Sequence, residues 1–363
     1  MVVGFDTTPE SSGHSFRGIG SYAHNLKKAL ISLETDLKID SHGHSPWSSL
    51  SRKLEIKFFD KALESGNYDL VHHPYFDLFF HTLPVKKATK KRIVTIHDVI
   101  PLLFPDKFPA GIKGFINLFL QKQALKNVDL IICDSETSKK DIVDKLSVHF
   151  SKIKVIYLAA GDEFKKKPDL KKLKAVQEKY KLPKNFCLYV GDVNWNKNIE
   201  NLLEAVSVSK TQVVMVGKAL AETGLSQVTR INGVIRRLKL ESKVIKTGFI
   251  PNEDLVSIYN LAQVTLLPSF YEGFGLPVLE SMACGTPVVC SNNSSLAEIA
   301  GSAAIFCDPS DPKDIADKIS GVLSLKGKNR ESLSQKCINQ ALKFSWQKAA
   351  RETIDLYKKV LAA

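Results

Sequence analysis

A chain of 363 residues with 44% hydrophobic and 25% charged side chains has an ordinary globular composition and enough apolar mass for two domain cores. These proportions exclude a mainly disordered chain, a collagen-like fibre and a small disulfide-stapled scaffold. Its 51 basic and 38 acidic residues leave a formal net charge of +13, which favours polyanionic partners such as nucleic acid, anionic lipid head groups or phosphorylated substrates.

The chain opens MVVGFDTTPE, without the basic start and apolar run of a secretory signal. No stretch approaches the roughly 20 apolar residues that span a bilayer. The expectation is a cytoplasmic protein that touches a membrane, if at all, from the cytoplasmic face. Short apolar runs predict strands at Met1–Phe5, Leu70–His72, Arg92–Ile96, Leu130–Cys133 and Lys154–Tyr157. A second set follows at Phe186–Val190, Gln212–Val216, Val244–Thr247, Val264–Leu267, Pro287–Cys290 and Ala304–Cys307. Helix-like segments separate them, the pattern of parallel sheets covered on both faces. The fold class is therefore α/β, with two doubly wound, Rossmann-like domains facing each other across a cleft. The lysine-rich stretch between the two sets, with Pro168 and Pro183, reads as a linker carrying one helix. The expected division is 1–165, a linker at 166–184, and 185–343.

Two lysine clusters, at Val85–Arg92 and Lys165–Lys184, read as solvated faces ahead of a binding surface. Segment Ala110–Val128 combines Ile112, Phe115, Ile116, Leu118, Phe119 and Leu120 with Lys113, Lys122 and Lys126. Two readings stay open for it: core packing, or a helix that contacts a lipid monolayer. The six cysteines are Cys133, Cys187, Cys284, Cys290, Cys307 and Cys337. None forms a C-x-x-C pair, so buried thiols in a reducing compartment are expected rather than disulfides or zinc.

In open α/β sheets, ligands bind beyond the carboxyl ends of the strands. The most informative such place is Pro268–Ser291, PSFYEGFGLPVLESMACGTPVVCS. Pro277 suits the first turn of a helix, and Gly285 suits the position just past its end. Free amides near Gly273, Phe274, Gly275 and Leu276 would hold phosphate oxygens at the helix start. Glu272 and Glu280 flank that anion site at E-x7-E spacing. Acids beside a phosphate site suit sugar hydroxyls as partners; the alternative makes them helix-start acids placed for the dipole.

Here the sequence resembles a known family. YEGFGLPVLESMACGTPVV is similar to the E-x7-E signature of family-four retaining glycosyltransferases, which have the GT-B fold. Further matches follow in order. GIGSYAHNL (Gly18–Leu26) resembles the family's N-terminal glycine loop, TIHDVIPLLFP (Thr95–Pro105) its His-bearing loop, and YVGDVNWNKNIENLLEA (Tyr189–Ala205) its basic phosphate loop. VIKTGFIPNEDLVSIYNLA (Val244–Ala262) resembles the base-recognition region. FSWQKAARETIDLYKKVL resembles the terminal helix that returns to the first domain, here 344–363. The likeness spans almost the whole chain.

The resemblance implies an acceptor-binding first domain, a nucleotide-sugar-binding second domain, and transfer of a hexose with retained configuration. It implies catalytic roles for His97, Glu272 and Lys197, with Lys197 neutralising the departing diphosphate. Donor contacts fall on Gly18, Gly20, Asn196, Gly217, Phe249, Ile250, Gly273, Phe274, Gly275, Leu276 and Glu280. Glu272 would hold the transferred sugar, Glu280 the ribose, and the backbone at Phe249 or Ile250 the base. Asp98 would orient its loop. The family usually carries an Arg in the phosphate loop where this chain has Asp192 and Asn196, so Arg17 is a further candidate for the phosphate charge. No cofactor and no metal are expected, since no D-x-D triplet occurs. The nearest likeness is to mannosyltransferases of bacterial surface-polysaccharide assembly, which makes GDP-mannose the expected donor against a UDP-hexose. The acceptor would be a glycan or lipid-linked glycan, near Gly13–Arg17, Tyr75, Phe76 and Phe104–Phe119, with contact to the inner membrane surface as one option.

Three rival readings differ in class. A nicotinamide-dependent oxidoreductase would show G-x-G-x-x-G; Ala23 stands at the third glycine, a place that tolerates Ala, so it is mainly the E-x7-E context that speaks against this reading. A nucleic-acid-binding protein would show a basic groove-reading helix or an RNA-binding aromatic motif, and neither is present, so no nucleic-acid partner is expected. A non-catalytic nucleotide-sugar binder would share the fold without turnover.

Overall fold

Parallel pairing organises every strand of the computed structural model, which describes residues 1–11, 18–33, 37–42, 66–85, 90–166 and 169–363. Gly13 and Arg17 lie outside the described residues. The chain divides into two units, one of Met1–Leu158 with Ser345–Ala363 and one of Ala159–Phe344.

The first unit contains β1 (Val2–Asp6), β2 (Lys38–His42), β3 (Leu70–His73), β4 (Lys91–Thr95), β5 (Leu130–Cys133) and β6 (Ile153–Val155). They form one sheet in the order β2-β1-β3-β4-β5-β6. β3 and β5 are buried along their whole length, as strands covered on both faces must be. Each apolar run expected as a strand carries one. The exception among strands is β2, sequence KIDSH, which no apolar run announces. Among the described residues it lies at the sheet edge with β1 as its one partner, where charge and polarity are tolerated. The helix Trp346–Ala362 packs along the helix Gly18–Leu33 and buries Trp346, Ala350 and Tyr357. The chain's end thus completes the first unit, and its start is capped by Ser345 accepting from Lys348 N.

The second unit contains β7 (Cys187–Val190), β8 (Val213–Val216), β9 (Val244–Gly248), β10 (Val264–Leu267), β11 (Val288–Ser291) and β12 (Ile305–Cys307), ordered β12-β11-β10-β7-β8-β9. The segment expected as a linker folds into this unit. Its helix Leu170–Lys179 lies against the helix Asn252–Leu261, and Phe164, Val176 and Leu182 enter the core with Phe186. Lys179 Nζ and Tyr180 Oη reach Asp254 Oδ2 at 2.7 and 2.8 Å. The apolar residues spaced among its lysines are what fix it, and the unit begins at Ala159, ahead of the expected linker 166–184 and of the domain start expected at 185.

All six cysteines are free and buried. No helix among the described residues is long and apolar enough to cross a membrane.

Candidate active site

The second sheet has a switch point. From β7 the chain winds outward through β8 and β9, then crosses to β10 and winds the other way. The loops after β7 and β10 diverge there, leaving the crevice where open α/β sheets take ligands. The loop after β7 makes a short turn, Trp195–Lys197, and enters the helix Ile199–Ser209 through Asn198, whose φ of 56° an Asn tolerates. The loop after β10 carries Glu272. Lys197 Nζ donates to Glu272 Oε1 at 2.9 Å and Oε2 at 2.8 Å. Ser269 Oγ donates to Oε1 at 2.6 Å. Glu272 is only 5% exposed, so the pair is a nearly buried ion pair whose carboxylate has a second donor.

Side chains from neighbouring segments fix the Glu272 loop. Asn196 Nδ2 donates to Tyr271 O at 2.9 Å, and Phe270 N donates to Asn196 O at 2.8 Å. Asn293 Nδ2 reaches Phe270 O, and Ser295 Oγ bridges the carbonyls of Glu272 and Phe274 at 2.8 and 3.0 Å. Ser294 Oγ accepts from Glu272 N at 3.1 Å. Trp195 stacks on Phe270 with centroids 4.9 Å apart. Asn196, expected as a donor contact, is buried and spends its amide on this loop. It stands where the family usually carries a phosphate-loop Arg, and here its amide holds Tyr271 O and so the loop that carries Glu272.

Gly273, Phe274 and Gly275 are buried, and Leu276 opens the helix Leu276–Ala283. Gly275 has φ 102°, and a Cβ there would stand 2.5 Å from Leu296 Cδ2. Only glycine fits. Pro277 carries no amide hydrogen and Val278 N donates to Gly275 O at 2.9 Å, so the helix start offers an anion the amides of Gly275 and Leu276. The helix ends as the sequence implied, with Gly285 at φ 71° and its amide on Met282 O, and Thr286 N on Ser281 O.

Glu280 lies in this helix, half-buried, and accepts from Tyr259 Oη at 2.8 Å. Burial raises its pKa to about 7; the Tyr259 bond opposes that rise and the charge of Glu163 adds to it. Glu272 and Glu280 therefore differ in environment: one is ion-paired, the other poised to titrate near neutrality.

Glycines line the strand ends beside the switch point. Gly191 N donates to Val216 O and Gly217 N to Gly248 O, so Gly191, Gly217 and Gly248 follow or close β7, β8 and β9 side by side. A Cβ on Gly217 would meet Gly191 O at 2.0 Å. After β9, Phe249 is 49% exposed whereas Ile250 is buried in the core. Any contact from Ile250 to a ligand is thus limited to its backbone.

The first unit holds His97, two residues past β4 and 13% exposed at its side chain. Nδ1 lies 2.6 Å from Asp134 Oδ2, and Nε2 lies 3.1 Å from Pro74 O. Burial alone would lower the ring's pKa, but the Asp134 charge and hydrogen bond outweigh it and the net direction is upward. Tyr22 packs edge-on against the ring at 4.8 Å. Behind it runs a buried polar chain. Tyr22 Oη meets Thr95 Oγ1 at 2.9 Å, Thr95 Oγ1 meets His72 Nε2 at 2.9 Å, and His72 Nδ1 meets Tyr357 Oη at 2.6 Å. Burial lowers the His72 pKa to about 3, so that ring is neutral. Asp98 Oδ1 accepts from Ile100 N at 3.0 Å, the loop-orienting part expected of it. Gly18 and Gly20, matched above to the family's glycine loop, lie in the helix Gly18–Leu33, Gly18 exposed and Gly20 buried.

The structure thus joins Lys197, Glu272, Asn196 and Gly273–Leu276 around one loop, with Glu280 on the helix that loop starts. It places Gly217, Phe249 and Ile250 at adjacent strand ends of the same sheet, and His97, Gly18 and Gly20 in the first unit. Sequence reasoning missed Asp134, Ser269 and Tyr259. Their signal was positional: Asp134 directly follows β5, and Ser269 stands three residues before Glu272. Among the described residues no group of three or more His, Cys, Asp or Glu side chains converges in a way that could hold a metal ion.

Comparison with known proteins gives this geometry a family. A model described as Glycosyl transferases group 1 matches residues 171–343, and one described as Glycosyltransferase Family 4 matches residues 39–160. The chain is 30% identical over 392 residues to O-antigen chain mannosyltransferase B of Escherichia coli, covering 99% of this chain and 100% of that protein. Sucrose-phosphate synthase from Thermosynechococcus elongatus is similar in structure with a TM-score of 0.78 at 20% identity, over 100% of this chain and 99% of that one. Anabaena HepE in complex with UDP and glucose gives a TM-score of 0.75 at 17% identity, over 98% and 99% of the two chains. The structural likenesses speak for the fold, and the full-length relative for the family. The chain belongs to the family-four glycosyltransferases of the GT-B fold, with mannosyltransferases of O-antigen assembly among its relatives.

Proposed function

We propose that this glycosyltransferase moves a mannosyl group from GDP-mannose to a glycan acceptor, free or lipid-linked, in surface-polysaccharide synthesis, with retention of anomeric configuration and without a metal. The observation that carries the donor site is the Lys197–Glu272 pair at the switch point between β7 and β10. In the absence of donor each group neutralises the other. A bound nucleotide sugar offers each a better-matched partner: the diphosphate for the Lys197 ammonium, and sugar hydroxyls for the Glu272 carboxylate. Glu280 takes the ribose hydroxyls, and the first-turn amides of Gly275 and Leu276 take phosphate oxygens. His97 engages the transferred sugar, with Asp134 holding its orientation. As the sugar–phosphate bond breaks, charge grows on the leaving diphosphate, and Lys197 with the amides stabilises it. The departing phosphate accepts the acceptor's proton, so no protein nucleophile is required.

Mannose as the sugar rests on the full-length likeness to the E. coli mannosyltransferase. A UDP-hexose donor is the second reading, favoured by the structural likeness to a protein crystallised with UDP and glucose. A thermal-shift panel separates them, because a true donor stabilises the fold by mass action. GDP-mannose should raise the melting temperature more than UDP-glucose, UDP-galactose or UDP-N-acetylglucosamine. A larger shift with a UDP-sugar reassigns the donor, and no shift with any of them counts against a donor site. Mannosyl transfer abolished by chelator and restored by Mn²⁺ would contradict the metal-free reading.

A further inference from the structure

The helix Gly111–Leu125 is inside out. Its inward face carries Gly114, Gln121, Ala124 and Leu125. Polar side chains do much of the anchoring: Gln121 Nε2 donates to Thr82 Oγ1 at 2.6 Å and Asp77 O at 3.1 Å, Gln121 Oε1 accepts from Leu83 N, and Asn117 Nδ2 donates to Phe79 O at 2.7 Å. Its outward face carries Ile112, Phe115, Ile116 and Phe119, exposed at 82, 66, 56 and 61%. Their i, i+3, i+4, i+7 spacing aligns them in one stripe. Lys122 and Lys126 continue the stripe at the helix's C-terminal end, and Lys113 flanks it. From Lys107 to Val128 the chain has four lysines and no Asp or Glu.

We infer that this stripe docks on an anionic phospholipid monolayer, with Phe115, Phe119 and the two isoleucines in the acyl boundary and the lysines at the head groups. An exposed stripe of this kind costs solubility unless something covers it. The charge pattern selects the occupant. Lysines without any acid beside apolar side chains complement a negatively charged surface that also accepts apolar groups. A second copy of this chain fits poorly. Its own stripe would bring lysines against lysines, and four side chains offer on the order of half the roughly 800 Å² per partner of a stable interface. Long lysine stems leave the helix end free to lie flat while their ammonium groups reach the phosphates. The inference stands independently of which nucleotide sugar the enzyme uses.

The full-length chain is to be co-sedimented with vesicles of phosphatidylcholine and with vesicles of phosphatidylcholine mixed with phosphatidylglycerol. Binding is expected to the mixed vesicles only, and to weaken at high salt. Phe115→Ser/Phe119→Ser should bind at least about tenfold more weakly, and Lys122→Glu/Lys126→Glu several-fold more weakly, with melting temperatures close to the wild type's. A Phe119→Trp variant gives a readout free of any folding defect: brominated lipid should quench its emission beyond the wild type's. Equal binding by the double-serine variant, no binding to mixed vesicles, or no added quenching would overturn the inference. So would a dimer in solution that the double-serine variant dissolves, since the stripe would then belong to a second copy.

Discussion

Burial sets the chemistry of Glu280. An acid with a folded pKa near 7, against an ordinary 4.5, binds its proton more tightly in the folded chain than in the unfolded one. Its contribution to stability is therefore complete below about pH 4.5 and is lost as the pH rises through 7. Glu280→Gln should match the wild type's melting temperature at pH 4.5 and exceed it at pH 8. Donor affinity should move the opposite way: it should rise between pH 6 and 8 in the wild type, as a carboxylate forms to accept ribose hydroxyls, and stay flat in the variant. His97 has the reverse dependence on its neighbour. Asp134→Asn removes the charge that raises the imidazole pKa and leaves the burial that lowers it. The His97 resonance should then titrate at lower pH than in the wild type, with the Asp98 charge and the Pro74 carbonyl still supporting the protonated ring; an unchanged titration would show that Asp134 does not hold the ring. The acids of the E-x7-E pattern were legible because residue type, spacing and the Gly-Pro helix start occur together. Asp134 was not, because its role depends on β4 and β5 lying side by side, a pairing of residues 37 positions apart.

At the scale of elements, Gly275 decides the entry into the helix that carries Glu280. A left-handed φ costs an L-residue about 1–2 kcal/mol, and the overlap with Leu296 adds to it. Gly275→Ala should lower the melting temperature by several degrees and weaken donor binding together, because the loop holding Glu272 enters the helix through this residue. Leu296→Ala in the same chain should recover part of both by opening the space; no recovery would mean that backbone strain alone decides the site. Strand assignment followed the apolar runs well because most strands are buried on both faces. β2 escaped since an edge strand need not be apolar, and KIDSH carries no such run. The helix Gly111–Leu125 was ambiguous for a different reason. Periodicity reports that a helix has an apolar face, but only the fold shows that Gln121 and Asn117 take the inward side.

For the whole molecule, the chain's two ends belong to one unit. Tyr357 bonds the buried His72, and Trp346 packs 6.1 Å from Tyr22, so the terminal helix is part of the first core. Deleting residues 345–363 should unfold the first unit, seen as loss of its share of the calorimetric transition, while the second unit retains its own. Two similar transitions in wild type and deletion would contradict that. The two-sheet architecture was legible from alternation of strands and helices, whereas the division at Leu158 was hidden by lysines around a few core-filling residues. In the proposed donor site Lys197 and Glu272 act together. Removing Lys197 alone would leave a nearly buried carboxylate unpaired and confuse binding with stability. Calorimetric titration of GDP-mannose into Lys197→Met/Glu272→Gln avoids this by neutralising both at similar volume. A folded variant with binding at least about tenfold weaker than the wild type's is the predicted result; a folded variant that binds GDP-mannose as tightly as the wild type would contradict the account.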